Sequence, residues 1–350
     1  MKIKKLVRFL LSLLPQSVVL LLMGKRLKKS AKNDMMYINN IVKQSELLRN
    51  NKKALVSFAY INRNRTAAYS DSYLKRLVNP VKIAETNTAN NLPILVCAEK
   101  NDLKRIKPQI EYHRKIGIKH FAYIDNVSDD GTFEWLREQP DVSLFSISEK
   151  YDNVVKNAWI RQITDYFGYE KWYLIVDSDE FFIYPGIEKI KINQYIDYLE
   201  KRKIKSTFSP MIDMYAINSD ENTGQSDDIP ENFVENYRWF DTDSYKKENQ
   251  LTRYRVTGGV RKRLKGMGNT VSKYSLIKLS QNMIIGTHEN HPYKVNFETD
   301  GAIAFLLHYK VFLNDNTAYK GSQKLESSMD LLKINLTDRI FFSNFLKDKV

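Results

Sequence analysis

Apolar and polar positions follow two alternating periods from about residue 92 onward. Four short apolar runs, at residues 92–98, 118–125, 142–147 and 172–177, are typical of strands buried on both faces of a parallel sheet. The segments between these runs have apolar residues at helical spacing. In the longest predicted helix, the residues on one face are Val155, Trp159, Ile163 and Tyr166. Pro108 predicts that the first helix is kinked or begins near Lys107. The alternation predicts an α/β fold with a doubly wound, Rossmann-like, mostly parallel sheet.

Polar side chains collect where the predicted strands end. They are Glu99, Asn101 and Asp102 after the first strand, Asp125 and Asn126 after the second, and Asp177, Ser178, Asp179 and Glu180 after the fourth. In doubly wound sheets the ligand lies at the carboxyl ends of the strands. A carboxylate cluster at the end of an apolar strand is costly unless a cation or ligand offsets desolvation and repulsion. We therefore expect the binding site at this edge.

Asp177 and Asp179 are two residues apart, so a turn can bring both carboxylates to one ion. Hard oxygen ligands suit Mg²⁺ or Mn²⁺, which also bind substrate phosphates. The alternative is a solvated acidic turn with no ligand. The position of the pair directly after an apolar strand favours the metal site.

Charge and composition narrow the class of protein. The 350 residues carry a net charge of +14. Residues 1–33 contain nine Lys/Arg and residues 251–279 contain eight, and neither segment contains Asp or Glu. The rest of the chain therefore has a net charge of −3. A uniformly basic surface for nucleic acid is therefore not indicated. The single cysteine, Cys97, excludes an intrachain disulfide and lies in an apolar run, where we expect a small buried hydrophobe.

The amino-terminal segment, residues 1–33, has an apolar stretch flanked by basic clusters. The apolar stretch is interrupted by Arg8 and Pro15, and it is shorter than the roughly 20 residues a spanning helix needs. We expect a helical membrane-surface anchor, with a helix packed on the protein body or a type II anchor as alternatives. The predicted division of the chain is this segment, a helical lead-in at 34–91, the main domain at 92–318 and a helical tail at 319–350.

Eight ordered fragments between about residues 93 and 313 resemble bacterial glycosyltransferases of the GT-A fold, of the family 2-like and family 92-like group. They are CAEKND, IEYHRKIGIKHFAYIDNVSDDGT, WYLIVDSDEFF, MIDMYA, GGVRKRL, SKYSLIKL, GTHEN and LLHYKVF. The family commonly has Glu where this chain has Asp102. The resemblance implies transfer of a sugar from a nucleotide-sugar donor, with Mn²⁺ or Mg²⁺ on the diphosphate.

Carried over residue by residue, the resemblance implies a donor site and a metal site. Glu99, Asn101 and Asp125 would lie near the nucleoside, and Ser128 and Asp130 would shape the adjoining donor loop. Asp177 and Asp179 match the D-x-D motif, and His308 matches a histidine for which we expect a metal-ligand role.

Two arginines are further candidates for binding the diphosphate or an anionic acceptor. If GGVRKRLKG is extended, Arg261 and Arg263 share one face. The alternative is a solvated basic hairpin.

An inverting transfer also needs a general base on the acceptor hydroxyl. We expect Asp213, which interrupts an apolar strand, in this role, with His288 and Glu289 as the other candidates. The alternative for Asp213 is a buried carboxylate hydrogen-bonded to backbone.

The resulting hypothesis is a metal-dependent, inverting glycosyltransferase at the cytoplasmic face of the inner membrane. Its partners would be a nucleotide-diphosphate sugar, a saccharide or lipid-linked acceptor in cell-surface polysaccharide synthesis, and the membrane surface, with no nucleic acid. Two alternatives stay open: a nucleotidyltransferase acting on a sugar phosphate, and a non-enzymatic basic protein that binds membranes or nucleic acid.

Overall fold

The computed structural model describes residues 78–85, 92–151, 153–217, 229–230, 232–250, 253–266, 268, 270–281, 283–286, 288–298, 304–310 and 320–336. The predicted membrane segment 1–33, residues 34–77 of the lead-in and residues 337–350 of the tail lie outside these ranges. None of the helices within the described ranges combines the length and the apolar character needed to cross a bilayer.

A six-stranded sheet forms the first layer of the protein. Its strands are β1 (Asn79–Lys82), β2 (Ile94–Glu99), β3 (His120–Asp125), β4 (Val142–Ser146), β5 (Lys171–Ile175) and β12 (Leu276–Leu279), in the order β1-β4-β3-β2-β5-β12. The four central strands are parallel, as their apolar runs predict, but both edge strands are antiparallel. The α/β class is therefore confirmed, whereas the sheet is mixed and not plainly doubly wound.

Helices cover both faces of this sheet. Leu95, Cys97 and Tyr123 face α1 (Leu103–Ile116) and α2 (Thr132–Glu138), while Val96 and Ile124 face α3 (Asn153–Phe167). Because neighbouring residues of a strand point to opposite faces, both sets are buried. Cys97 is fully buried as expected, and burial raises the pKa of its thiol.

Two details of the helices differ from the predictions. Helix α1 begins at Leu103 and continues through Pro108, so the predicted alternative of a start near Lys107 is wrong. The Asp130 carboxylate accepts the hydrogen bond of the Leu103 N–H in the first turn. In α3, Trp159 and Ile163 are buried as predicted, but Tyr166 is 54% exposed and packs its ring edge against Phe145 and Phe167.

A second, four-stranded sheet is also mixed and shares a hydrophobic core with one face of the first. Its strands are β6 (Glu180–Ile183), β7 (Ser209–Asp213), β11 (Ser272–Lys273) and β13 (Phe305–His308), in the order β11-β7-β13-β6. Strand β13 is antiparallel to β6 and parallel to β7. This pairing brings residues that are far apart in sequence into one row.

Smaller elements complete the described fold. They are helices α4 (Ile192–Lys201), α5 (Phe233–Asn236) and α6 (Val260–Lys265), strands β8 (Trp239–Asp241), β9 (Tyr245–Asn249), β10 (Tyr254–Gly258) and β14 (Ser322–Lys324), and 3₁₀ helices at Tyr293–Phe297 and Ser328–Lys333. The described part of the lead-in is strand β1, paired with β4. The described part of the tail begins with β14, which pairs with β8, so neither segment is wholly helical as predicted.

Candidate functional site

The acidic turn that follows β5 forms the centre of the site. Strand β5 ends at Ile175 and β6 begins at Glu180, so the D-x-D pair lies in a tight connection between the two sheets. Two hydrogen bonds close the turn: the Glu180 N–H donates to the Asp177 carbonyl at 3.0 Å, and the Asp177 N–H donates to Glu180 Oε2 at 2.9 Å. Glu180 is therefore part of the site, although no role was predicted for it from the sequence.

Strand register places three ionisable side chains side by side in the second sheet. His308 is the direct ladder partner of Glu180 on β6 and of Asp213 on β7. Facing residues in paired strands project to the same side of a sheet, so the imidazole lies between the two carboxylates. All three residues are at least 95% buried.

The His308 ring links two carboxylates. Its Nδ1 lies 2.7 Å from Asp213 Oδ1, and its Nε2 lies 3.5 Å from Asp179 Oδ2. Burial by itself would lower the pKa of the imidazole, but the two carboxylates outweigh burial and raise the pKa to about 9. The same contacts hold the pKa of Asp179 and of Asp213 below the ordinary value despite burial.

Arg261 joins this group, but through a helix and not an extended strand. The Arg261 Nε–H donates to Asp213 Oδ2 at 2.9 Å, and the arginine is 9% exposed. Gly259, just before α6, has φ +80°, and a Cβ at this position would lie 3.2 Å from Asp213 Oδ2 and 2.9 Å from Tyr245 Cε1. A glycine here lets the chain pass close to the carboxylate.

Arg263 does not share a face with Arg261, which corrects the extended-strand interpretation. Successive helical residues are rotated by about 100°, so residues two apart point in nearly opposite directions. Arg263 makes two hydrogen bonds to the buried Asp241 carboxylate, at 3.0 and 3.1 Å. In this arrangement it supports the fold next to the site.

Two buried lysines bind Asp177, and neither was predicted from the sequence. Lys156 on α3 pairs with Asp177 Oδ1, and Lys273 on β11 lies 2.8 Å from Asp177 Oδ2 and 2.7 Å from Glu180 Oε1. Burial acts to raise the pKa of Asp177, but the two ammonium groups hold it below its ordinary value. The signal available in the sequence was general: a buried acidic cluster requires cations.

Three side chains offer atoms that could hold one metal ion. Atoms of Asp179, Glu180 and His308 lie within 4.8 Å of one another. This group contains two of the three predicted ligands; the third, Asp177, is bound to lysines, and Glu180 is in the position beside the other two. The pKa of Glu180 is raised, because burial and the neighbouring Asp177 and Asp179 outweigh Lys273.

The loops after β2 and β3 are tied together. Ser128 Oγ accepts the Asn101 N–H at 2.9 Å, and the Asn101 and Asp129 side chains and backbone exchange two further hydrogen bonds. Asp130 accepts from the Leu103 and Thr132 N–H groups. Ser128 and Asp130 thus shape the loop. Asn101 at φ +53° and Val127 at φ +59° give this rim an unusual backbone.

The three residues predicted as the base occupy different surroundings. Asp213 has both oxygens engaged, by His308 and Arg261. His288 Nδ1 donates a hydrogen bond to the carbonyl of Ser272, the residue before Lys273, at 2.8 Å. Burial together with Lys273 lowers the pKa of His288 to about 4. Glu289 is half-buried with Oε2 4.0 Å from Arg253 Nε.

Comparison with known proteins adds little to this description. The chain matches no protein-family model and no curated protein sequence. Among solved structures it is similar to TarS 1–349 from S. aureus, with 15% identity over 39% of each chain, so this chain spans well under two thirds of that protein. It is also similar to HddC from Yersinia pseudotuberculosis, with 12% identity over 74% of this chain and 100% of that one. Both TM-scores are 0.26, which is too low to assign a family or an activity.

Proposed function

We propose that this protein is a glycosyltransferase that moves a sugar from a nucleotide-diphosphate sugar to a saccharide or lipid-linked acceptor, with inversion and with the help of a divalent cation. The observation that carries the proposal is the packing of the D-x-D turn against His308 at the junction of the two sheets. The site combines residues from three strands and from the turn between β5 and β6, namely Glu180, Asp213 and His308 on the strands and Asp179 in the turn. Four ionisable groups assembled in this way support a catalytic or metal-binding site.

The donor set fits a divalent cation. Two carboxylates and one imidazole are ligands that Mn²⁺ accepts, and Mg²⁺ accepts the carboxylates. Glu180 Oε1 is buried and lies 2.7 Å from Lys273 Nζ, so a bound ion would share this carboxylate with the lysine. Asp179, Glu180 and His308 would hold the ion, which when bound would neutralise charge on the leaving diphosphate. Asp213 anchors the His308 ring, as carboxylates commonly do for histidine ligands.

Cationic side chains of the chain itself would also act on the leaving group. Lys310 Nζ lies 3.2 Å from Asp179 Oδ2, and its side chain is 57% exposed, so it reaches the open side of the site. Arg261, Lys156 and Lys273 provide further positive charge around the turn. Such prearranged charge stabilises an anionic leaving group at little reorganisation cost.

Asp213 serves in this proposal as a positioning residue. A carboxylate with both oxygens engaged and a lowered pKa is a weak proton acceptor. The base on the acceptor hydroxyl is then assigned to His288 or Glu289, which lie on the loop beside β11. His288 is neutral at pH 7, but its pKa of about 4 makes it a weak proton acceptor as well.

The test is a donor-turnover assay on the full chain with Asp179→Asn and His308→Gln. We expect each variant to lose activity by about 10²-fold or more, the usual effect of removing one charge-stabilising group. Chelation should abolish wild-type turnover, and added Mn²⁺ should restore it. Asp141→Asn is the matched control, because Asp141 is also ion-paired but precedes β4 at the opposite edge of the sheet.

The products distinguish the alternatives. Release of a nucleoside diphosphate supports sugar transfer, whereas release of pyrophosphate identifies a nucleotidyltransferase. Folded Asp179→Asn protein with unchanged turnover would refute the proposed site. Binding to nucleic acid that falls steeply with salt, without any donor turnover, would favour the non-enzymatic alternative.

We further propose that residues 1–33 attach the protein to the inner face of the membrane, where lipid-linked acceptors are present. The support is their basic and apolar composition. Flotation with anionic vesicles, compared with neutral vesicles and across a salt series, tests the attachment. Equal recovery with both vesicle types would contradict it.

A further inference from the structure

The edge of β6 beside the D-x-D turn is bonded by a helix. Among the described strands, β6 is the last in the order of the second sheet and pairs only with β13. Alternate residues of an edge strand direct their backbone groups away from the neighbouring strand, so Glu180 and Phe182 face the outer edge. Side chains from one face of α1 bond these two residues, namely Gln109, Tyr112 and His113. The helix thus takes the place of a further strand.

Two of these side chains bond the strand beyond the turn. The Tyr112 hydroxyl donates to the Phe182 carbonyl at 2.9 Å, and the Phe182 N–H donates to His113 Nε2 at 3.3 Å. His113 Nδ1 donates to the Gln109 carbonyl at 2.8 Å, so the ring carries its proton on Nδ1 and accepts at Nε2. A neutral ring fits its surroundings, because burial lowers the pKa of His113 to about 4.

Gln109 bonds the turn itself. Its Nε2 donates to the Asp177 carbonyl at 2.5 Å and to the Glu180 carbonyl at 3.1 Å, so one amide group holds both ends of the D-x-D turn. The Tyr123 hydroxyl donates to Gln109 Oε1 at 2.6 Å, which fixes the side of the amide that faces the turn. Gln109 and Tyr123 are fully buried. Both donor hydrogens of this amide are therefore engaged by the turn.

The turn needs such support because it holds three acids close together. Asp177, Asp179 and Glu180 repel one another inside the protein. The neighbouring lysines offset the charge, but a lysine is a flexible point charge and does not fix the backbone. The Gln109 amide bonds backbone carbonyls, so it sets the path of the chain from β5 to β6. Ligand side chains that are held in place before an ion binds need less reorganisation.

We propose that Gln109 is a positioning residue whose amide clamps both ends of the D-x-D turn and so presents Asp179 and Glu180 to a divalent cation. This inference rests on the proposed function, because it takes a cation to bind at the turn. Gln109 acts through the backbone of the turn and is not assigned a contact with the ion or the donor sugar. Tyr123 supports it by orienting the amide.

The first experiment measures Mn²⁺ binding to the full chain without donor, by electron paramagnetic resonance of the free ion. Gln109→Met keeps the length of the side chain and removes its hydrogen bonds. We expect it to bind Mn²⁺ about ten- to a hundredfold more weakly than wild type, the usual effect of losing a group that supports metal ligands. Tyr112→Phe is the matched control, because it loses a bond from the same helix to the same strand but away from the turn. It should keep wild-type Mn²⁺ affinity.

The second experiment uses Tyr123→Phe, which removes one hydroxyl and keeps Gln109. It should weaken Mn²⁺ binding less than Gln109→Met does, and adding it to Gln109→Met should cause little further loss. Without metal, hydrogen exchange of the Glu180 N–H, which closes the turn on the Asp177 carbonyl, should be faster than in wild type. The N–H groups of the central strand β2 should keep their wild-type exchange rates, which separates local opening of the turn from global destabilisation.

The outcomes distinguish this inference from the proposed function. If wild type binds Mn²⁺ and folded Gln109→Met binds it equally well, the inference fails and the glycosyltransferase proposal stands. If Gln109→Met does not fold, Tyr123→Phe decides: unchanged Mn²⁺ affinity and unchanged exchange at Glu180 would overturn the inference. If wild type binds no Mn²⁺, the metal-dependent function fails and the positioning role of Gln109 fails with it. Weaker Mn²⁺ binding in Tyr112→Phe, equal to that in Gln109→Met, would also overturn the inference, since any loss at the strand edge would then have the same effect.

Discussion

Replacing His308 by glutamine removes the imidazolium that lies between the Asp179 and Asp213 carboxylates. Breaking a buried ion pair on one side leaves uncompensated charge and costs about 3–5 kcal/mol. Part of that cost depends on pH. The pKa of His308 rises from 6.5 to about 9 on folding, and the side chain is 5% exposed, so the shift corresponds to about 3 kcal/mol.

The sign of the pH dependence follows from that rise. Below pH 6.5 both the folded and unfolded states bind the proton, and the stabilisation by His308 is complete. Between pH 6.5 and about 9 the folded state binds more protons, so the free energy of unfolding falls as pH rises. The difference in stability between wild type and His308→Gln should therefore shrink by about 3 kcal/mol across this window.

Urea unfolding in the presence of a chelator, at constant ionic strength, measures this difference at each pH. His120→Gln is the matched control: His120 is buried and bonds the Ser143 hydroxyl, but burial lowers its pKa to about 4, so it does not titrate in the window. Its stability difference from wild type should be constant across the window. Parallel stability curves for wild type and His308→Gln would refute the electrostatic description of the site.

Three further substitutions test the surroundings of the site. Lys273→Met removes the buried ammonium group between two acids of the turn. It should lower the free energy of unfolding, measured by urea titration, by about 3–5 kcal/mol. A loss of stability smaller than that caused by substituting an exposed lysine would contradict the pairing. Gly259→Ala should lower thermal stability and turnover more than Gly266→Ala. Both glycines have positive φ, but only at Gly259 would a Cβ lie against neighbouring atoms. Equal effects of the two substitutions would show that the space around Gly259 is not limiting. Arg263→Ala should destabilise the fold by several kcal/mol through the loss of its two bonds to Asp241. Under the proposed function, the KM of the folded variant for the nucleotide sugar should be unchanged, and a raised KM would place Arg263 in the proposed donor site.

Local pattern was enough to predict the framework. The four central strands appear within one or two residues of the apolar runs, since a strand buried on both faces must be apolar along its length. Burial of Cys97 follows from the same rule.

Local pattern was misleading where the backbone conformation depends on distant contacts. GGVRKRLKG has no clear period, and it forms a helix with Arg261 turned to Asp213 and Arg263 turned to Asp241. Pro108 gave a helix start near Lys107 as one alternative, but α1 begins at Leu103, where Asp130 from another loop accepts the hydrogen bond of the first-turn N–H. In both places a hydrogen bond from outside the segment decides its structure.

The amino-acid sequence by itself determined that acidic residues would collect at the carboxyl ends of buried strands, because strand, helix and turn periods are properties of neighbouring residues. Only the tertiary structure decided which of these acids meet which cations. Asp213 and His308 are 95 residues apart in the sequence, and Asp177 and Lys273 are 96 apart. Each pair forms only through the packing of the sheets. The charge state of a buried group depends on all charges within a few ångströms, and those charges arrive from separate segments once the sheets have formed.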